Sequence, residues 1–294
     1  MTDAATRPGR TVATPVVGFN DGTAAAKFDD VATEEPMEIR IAPPGQAPES
    51  VAVTMRTPGA DFELAAGFLF TEGIVAARSD IAEIVYCNDR DVTEDERYNV
   101  VTVRCHRVTT LRHAQGDTRQ AQGDTRHERR FTIGSACGAC GKANLDALEV
   151  RGVTPVRSKL TVSAEFVSSL PNRLRASQPI FSTTGGLHAA ALFGADGEAI
   201  VVREDVGRHN ALDKAIGWAL LDDRVPLSNA VLLVSGRSSF EIVQKAAVGG
   251  IPIVASVSAP SSLAVETARR FNITLAGFVR DGRFNVYSAP ERIS

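Results

Sequence analysis

Between residues 188 and 279, apolar strand-like runs alternate with stretches of helical spacing, and this order restricts the fold more than any other feature of the chain. Runs 188–193 and 198–202 flank Asp196-Gly197, a dipeptide that turns a chain back on itself, so they read as joined strands. Runs 230–234 and 251–255 are apolar throughout, the pattern of strands covered on both faces. A further strand is read at 275–279. Helical spacing fills 210–221, 240–248 and 262–271, and Gly249-Gly250 stops the second of these. A β-α-β-α-β order builds a parallel sheet with right-handed crossovers. Residues 161–294 are therefore expected to form an α/β domain, opened by a helix over 162–170 that ends at Pro171.

The first half of the chain has a different rhythm. Residues 1–35 are polar and rich in Ala, Thr and Asp, and read as a loose, flexible tail. Residues 36–160 read as a smaller, strand-rich α+β part. Strands are expected at 37–41 and 51–55 as a hairpin, and again at 81–87 and 100–105. Residues 61–70 have helical spacing, with Asp61 placed to cap the helix. Ala114-Gln115-Gly116-Asp117-Thr118-Arg119 recurs at 121–126; two copies are too few for a solenoid, and the repeat reads as a duplicated loop insertion. It lies in a basic stretch with Arg104, Arg107, Arg112, Arg129 and Arg130.

Charge and composition exclude several classes. With 32 basic and 35 acidic residues the net charge is −3, which offers no general attraction for nucleic acid or a membrane surface. Four cysteines in 294 residues do not form a disulfide scaffold. Residues 1–15 lack the apolar core of a secretory signal, and no apolar run approaches the ~20 residues of a membrane span. A soluble cytoplasmic protein is expected.

In open parallel sheets ligands bind beyond the carboxyl ends of the strands. Three such ends are readable: Ser235-Gly236-Arg237-Ser238-Ser239, the small polar stretch 256–262, and Arg280-Asp281-Gly282-Arg283. The first two open helices, whose free N–H groups attract anions, and Arg237, Arg280 and Arg283 supply guanidiniums that suit phosphate. The last is equally compatible with a plain hairpin turn. Two more clusters are dense in polar groups: Phe181 to His188, with Gly185 and Gly186, and Arg203 to Asn210, with Arg208 and His209. His188 fits a structural or a binding role; His209, in a turn between Arg208 and Asn210, suits binding.

The cysteines carry the reactive chemistry. Gly134-Ser135-Ala136-Cys137-Gly138-Ala139-Cys140-Gly141 is a Cys-x-x-Cys with glycine after each cysteine, followed by an amphipathic stretch. A thiol just before a helix is shifted toward thiolate, the nucleophile of sulfur exchange. Structural zinc asks for four ligands, usually two such pairs, and the chain has one; His106 and His127 do not complete a common zinc spacing. A thioredoxin-like pair sits near the start of a βαβ unit, not in mid-chain. Persulfide chemistry, in which a thiolate accepts, carries and passes on a sulfane sulfur, fits a glycine-rich loop better. Cys87 and Cys105 fall within strand-like runs and read as core residues.

Taken together, Glu35-Pro36-Met37-Glu38-Ile39-Arg40, Met55-Arg56-Thr57-Pro58-Gly59, Glu63-Leu64-Ala65-Ala66-Gly67-Phe68-Leu69 with Glu72-Gly73, Cys137-Gly138-Ala139-Cys140-Gly141, Thr184-Gly185-Gly186-Leu187-His188, the run from Arg203 to Ala211, and Ser235-Gly236-Arg237 resemble the FdhD/NarQ family of formate dehydrogenase accessory sulfurtransferases. The resemblance runs from about Glu35 to Tyr287 and does not account for the duplicated hexapeptide. It implies a cytidine deaminase-like three-layer α/β/α sandwich at the C-terminus. It implies Cys137 as persulfide carrier with Cys140 as assistant or alternative acceptor, and no catalytic metal. The partners it implies are a cysteine desulfurase as sulfur donor and a formate dehydrogenase as client. The cargo it implies is the molybdenum cofactor with two pterin guanine dinucleotides, in a homodimer. Phe278-Val279-Arg280-Asp281-Gly282-Arg283 aligns with the family's cofactor-binding stretch. Two other readings compete with this one. A zinc deaminase needs His-x-Glu and Pro-Cys-x-x-Cys, whereas Ala189-Ala190 follow His188 and Ala136 precedes Cys137. A non-catalytic chaperone would bind cofactor and client without carrying sulfur.

Overall fold

The computed structural model describes residues 9–87, 96–109, 148, 152–280 and 282–294. The first element corrects the reading of residues 1–35 as a loose tail. Strands β1 (Thr11–Asn20) and β2 (Thr23–Ala32) form an antiparallel hairpin in unbroken register, with Asn20 opposite Thr23. Asp21 and Gly22 both take positive φ, 48° and 79°, as the tightest two-residue hairpin turn requires. Polar composition concealed the strands, because a ribbon that faces water on both sides has no apolar alternation to display.

A four-stranded sheet follows in the order β4-β3-β6-β5. Strand β3 (Glu35–Ala42) pairs antiparallel with β4 (Glu49–Arg56) and parallel with β6 (Val100–Cys105), which pairs antiparallel with β5 (Ile81–Tyr86). Met37, Ile39 and Ile41 of β3 and Val101 and Val103 of β6 are fully buried. Helix α1 (Asp61–Thr71) packs over them. Asp61 does not cap it: Ala60 holds that position, and the buried Asp61 carboxylate pairs with Arg56 at 3.2 Å and accepts from Gly59 N at 3.1 Å.

The second sheet has six strands in the order β12-β11-β10-β9-β7-β8. These are β7 (His188–Phe193), β8 (Ala199–Asp205), β9 (Val231–Val234), β10 (Ile253–Ser256), β11 (Thr274–Arg280) and β12 (Arg283–Ser288). Only β9, β10 and β11 run parallel; β7 is antiparallel to both of its neighbours, and β12 is antiparallel to β11. The sheet is mixed because the chain reverses at 196–197 between β7 and β8, and again between β11 and β12, without a helical crossover.

Helices cover both faces of this sheet. On one face lie α4 (Arg208–Leu221), α5 (Phe240–Val248) and α6 (Ser262–Arg270), meeting Leu192, Leu232, Val254 and Leu275. On the other, α2 (Ala164–Ala176) sets Val167, Leu170 and Leu174 against Ala191, Phe193, Leu233 and Ala255, followed by the short α3 (Pro179–Thr184). Helix α2 runs through Pro171 instead of ending there. The proline deletes one backbone donor, and the buried stripe on both sides of it outweighs that loss. Consecutive strand residues alternate between the two cores, as the pleat requires. The result is a three-layer α/β/α sandwich with a strand-rich N-terminal part. The first core continues without interruption into α1 and the N-terminal sheet.

Helices α1 and α4 make the closest crossing in this joint core. A methyl group added at Gly67 would overlap the Asp213 carbonyl, and one at Gly217 would overlap the Glu63 carbonyl, so only glycine permits the two backbones to touch.

Candidate functional site at one edge of the C-terminal sheet

The strand directions bring the candidate residues together. Strands β8, β9, β10 and β11 end, and β7 and β12 begin, at the same edge of the sheet. His188 opens β7, Arg208 follows β8, Ser235 to Arg237 follow β9, and the Phe278–Arg283 turn joins β11 to β12. Residues 95 positions apart in the chain thus share one edge, by the difference between 188 and 283.

Ser235 ties β9 to β7: its Oγ accepts from Ala189 N and its own N–H donates to Ala189 O, both at 2.9 Å. Gly236 comes next. A Cβ there would stand 3.4 Å from His188 Nδ1 and 3.9 Å from Arg208 Cδ, so glycine keeps this junction open for both side chains. Arg208 is the first residue of α4, which carries no side-chain cap and no acidic residue in its first turn. Its Nε is buried without a hydrogen-bond partner. Burial, followed by the charges of Arg208 and His209, holds the His188 pKa below its ordinary value, so this imidazole is neutral at pH 7. The lasting positive charge is therefore that of Arg208, joined by the free N–H groups of the helix end. Such an arrangement receives an anion and resists a cation.

His188 and Ser235 also line a cleft of about 560 Å³ with Gly185, Gly186 and residues of α2 and α3. Gly185 has φ 67° and closes α3. His209 faces elsewhere. It lines a separate cavity of about 440 Å³ between α1, α4, α5 and the N-terminal sheet, where its Nε2 lies 3.3 Å from Ser239 Oγ and 3.4 Å from Glu241. Arg237 is exposed beside the edge, whereas Ser238 is buried.

The β11–β12 turn forms a shallow depression lined by Phe278, Arg280, Arg283, Phe284 and Asn285. Phe278 takes φ 55° and remains 40% exposed. Arg280 and Arg283 are direct cross-strand partners, a like-charge pair that an anion would relieve. Gly282 takes φ 72° in the turn. Val279 differs from its neighbours: its side chain is fully buried in the core under α2 and cannot meet a ligand. Asp281, Cys137, Cys140 and the duplicated hexapeptide lie outside the described residues. Cys87 and Cys105 are buried, and burial together with the Asp80 charge pushes the Cys105 thiol up to about 11, so it is not a nucleophile.

Sequence reasoning missed Arg175 and Gln178, and reached Phe181 only as the start of the cluster that runs to His188; all three line the 560 Å³ cleft. Their side chains converge only because α2 and α3 meet at a bend. The sole written sign of that bend is the Gln178-Pro179 step. Among the described residues no three His, Cys, Asp or Glu side chains stand close enough to hold a metal ion, and no helix is long and apolar enough to cross a membrane.

The model of the FdhD/NarQ family matches residues 32–294. The chain belongs to the FdhD/NarQ family. Among family relatives, the sulfur carrier protein FdhD of Mycolicibacterium paratuberculosis is 50% identical over 279 residues, covering 95% of this chain and 97% of that one. The sulfur carrier protein FdhD of Streptomyces coelicolor is 47% identical over 281 residues, covering 95% and 94%. In three dimensions the chain is similar to the crystal structure of a protein assigned as a formate dehydrogenase accessory protein from Desulfotalea psychrophila. That likeness has a TM-score of 0.72 at 26% identity and covers 97% of this chain and 100% of the other. Family membership accounts for the sandwich fold. The hairpin β1–β2 lies almost wholly before the matched region.

Proposed function

We propose that this FdhD/NarQ member is a sulfurtransferase that carries sulfane sulfur as a persulfide on Cys137 and delivers it to the molybdenum cofactor required by a formate dehydrogenase. The relatives named sulfur carrier protein FdhD support the sulfur-carrying part. The cofactor part rests on one observation: an anion-accepting edge where Arg208, the uncapped end of α4, Ser235 and Gly236 adjoin neutral His188, with Arg280 and Arg283 further along the same edge. A pterin guanine dinucleotide carries a diphosphate, which suits that edge.

In the loading step the Cys137 thiolate attacks the outer sulfur of a cysteine desulfurase persulfide. The new S–S bond forms at Cys137 as the old one breaks, and the desulfurase leaves as its own thiolate. In the delivery step the S–S bond at Cys137 breaks, Cys137 is left as its thiolate, and the outer sulfur passes to the bound cofactor, the cargo of the reaction, whose reduced metal supplies the two electrons that make it a sulfido ligand. Cys140 is the assistant of Cys137 or an alternative acceptor. A cytoplasmic homodimer, with two such edges for a cofactor of two nucleotides, belongs to the same reading.

Intact-protein mass spectrometry after incubation with a cysteine desulfurase and cysteine tests the carrier role. The wild type is expected to gain a reducible mass of one sulfur atom, and Cys137→Ala is expected to gain none. A Cys137→Ala protein that still activates formate dehydrogenase in cells would replace this reading with a cofactor-binding chaperone.

A further inference from the structure

The hairpin β1–β2 takes no part in the candidate site, yet it holds most of the apolar surface the chain leaves in water. Of the large apolar side chains exposed among the described residues, Val12, Val17, Phe19, Phe28 and Val31 belong to this one ribbon. Residues paired across an antiparallel ladder share a face, as do alternate residues along a strand. The register therefore puts Phe19 opposite Ala24, Val17 opposite Ala26 and Pro15 opposite Phe28 on one face, three neighbouring rungs without a polar side chain. The other face carries Asn20, Lys27 and Asp29, and the Lys27 stem folds over Gly18, 3.1 Å from where a Cβ would stand. Only the first face is free to meet another apolar surface. At 76% and 74% exposure its two phenylalanines alone leave about 300 Å² in water, the size of patch that marks an interaction site.

This face is complementary to itself. Ala24 and Ala26 leave a hollow on β2, with Phe19 standing across from Ala24 and Phe28 following Ala26 along the strand. The three rungs carry no charge, so identical copies do not repel there; the one charge on the face, Asp30, lies toward the base opposite Ala13. A two-fold contact asks for such a patch, in which residue i meets j and j meets i. Two facing ribbons remove about 1,000 Å² from water, the lower bound for a specific interface. We propose that two copies of this chain associate ribbon on ribbon, with Phe19 and Phe28 of each copy over the Ala24–Ala26 hollow of the other, and that sulfur delivery needs this pairing whereas loading does not. This rests on the homodimer of the proposed function and names the surface that forms it. Ala32, the last residue of β2, lies 3.8 Å from where a Cβ on Gly186 would stand, and Gly186 lines the cleft beside His188. Pairing the ribbons thus ties two candidate sites into one particle for a cargo with two nucleotides. Loading involves only Cys137 and the sulfur donor.

Sedimentation velocity of the full chain at about 50 µM, above the micromolar dissociation constant expected of so small an interface, tests this. Pairing of that strength adds little to thermal stability. The wild type should sediment as a dimer. The Phe19→Ser/Phe28→Ser double variant should sediment as a monomer, its dissociation constant raised at least about tenfold. Val16→Ser, on the opposite face of the same ribbon, should remain a dimer. No ribbon residue belongs to either core, so circular dichroism should report one fold for all three proteins. The double variant should gain the reducible sulfur mass as the wild type does, and should lose most of its ability to activate formate dehydrogenase in cells. A double variant that stays dimeric overturns the ribbon interface and leaves the homodimer standing. A monomeric wild type overturns both. A monomeric double variant that activates formate dehydrogenase in full overturns the need for pairing in delivery. Absence of sulfur uptake by the wild type strikes the carrier reading alone, because the sedimentation result does not depend on it.

Discussion

Asp205 and Lys214 are both fully buried, with carboxylate and ammonium 2.7 Å apart. Asp205 also accepts from Thr57 N at 3.2 Å, Gly207 N at 2.8 Å and Asn210 Nδ2 at 3.1 Å. This one side chain therefore ties the turn after β4 to the turn that opens α4 at the candidate site. Removing one partner of a buried pair strands the other charge. Asp205→Ala should destabilise by about 3–5 kcal/mol in urea unfolding. Lys214→Met should cost less, because three N–H donors still serve the carboxylate. Glu241 gives a pH signature. Its hydrogen bond with His209, and a second from Ser239, lower its pKa from 4.5 to about 2. A lowered carboxylate pKa stabilises the fold at pH values above 4.5, and that contribution disappears as the pH falls toward 2. The melting temperature of wild type should thus exceed that of Glu241→Gln at pH 7, and the gap should shrink steadily on acidification below 4.5.

At the level of elements, the α1–α4 crossing is the most exacting contact in the molecule. Gly67→Ala or Gly217→Ala places a methyl group on a backbone carbonyl that belongs to a helix and cannot move aside. The loss should be about 3 kcal/mol or more, read as a lower urea midpoint or as loss of soluble protein. The N-terminus of α2 is a milder case. Ser163 Oγ accepts from Phe166 N at 3.2 Å, and Ser163→Ala should cost about 1 kcal/mol in the same assay. The contrast between the two separates the backbone contact joining the N-terminal part to the sandwich from an ordinary helix cap.

On the scale of the whole molecule, the hairpin β1–β2 stands apart from both cores. None of its strand residues is buried; Phe19 and Phe28 are 76% and 74% exposed. An isolated two-stranded ribbon adds little stability of its own. A chain beginning at Thr33 should therefore unfold in one cooperative step, within about 3 °C of the full-length melting temperature by circular dichroism. A larger fall would mean that the hairpin completes a core. Buried Lys245 completes the picture of a single packed body. Burial works against its charge, but Asp213 and Glu72 outweigh that and hold its pKa above the ordinary lysine value. It thereby joins α5 to α4 and α1 across the junction between the N-terminal part and the sandwich.

The sequence alone determined β3 to β11 and helices α4, α5 and α6: most follow from apolar spacing, and β9 and β10 from runs that are apolar throughout because both faces are covered. It also named Ser235, Gly236, His188 and Arg208 as candidate site residues, because small and polar groups collect there at strand ends. It did not determine the hairpin over 11–32, whose residues face solvent on both sides and so leave no apolar period. Nor did it determine the continuation of α2 through Pro171, where burial outweighs a local break. Above all, pattern along the chain carries no information about direction across it. The antiparallel placement of β7 beside β9 put His188 against Gly236, and the bend between α2 and α3 brought Arg175, Gln178 and Phe181 around one cleft. The same pleat turned Val279 into the core while leaving Phe278 and Arg280 outside. Those juxtapositions depend on strand order and helix packing, which only the tertiary structure decides.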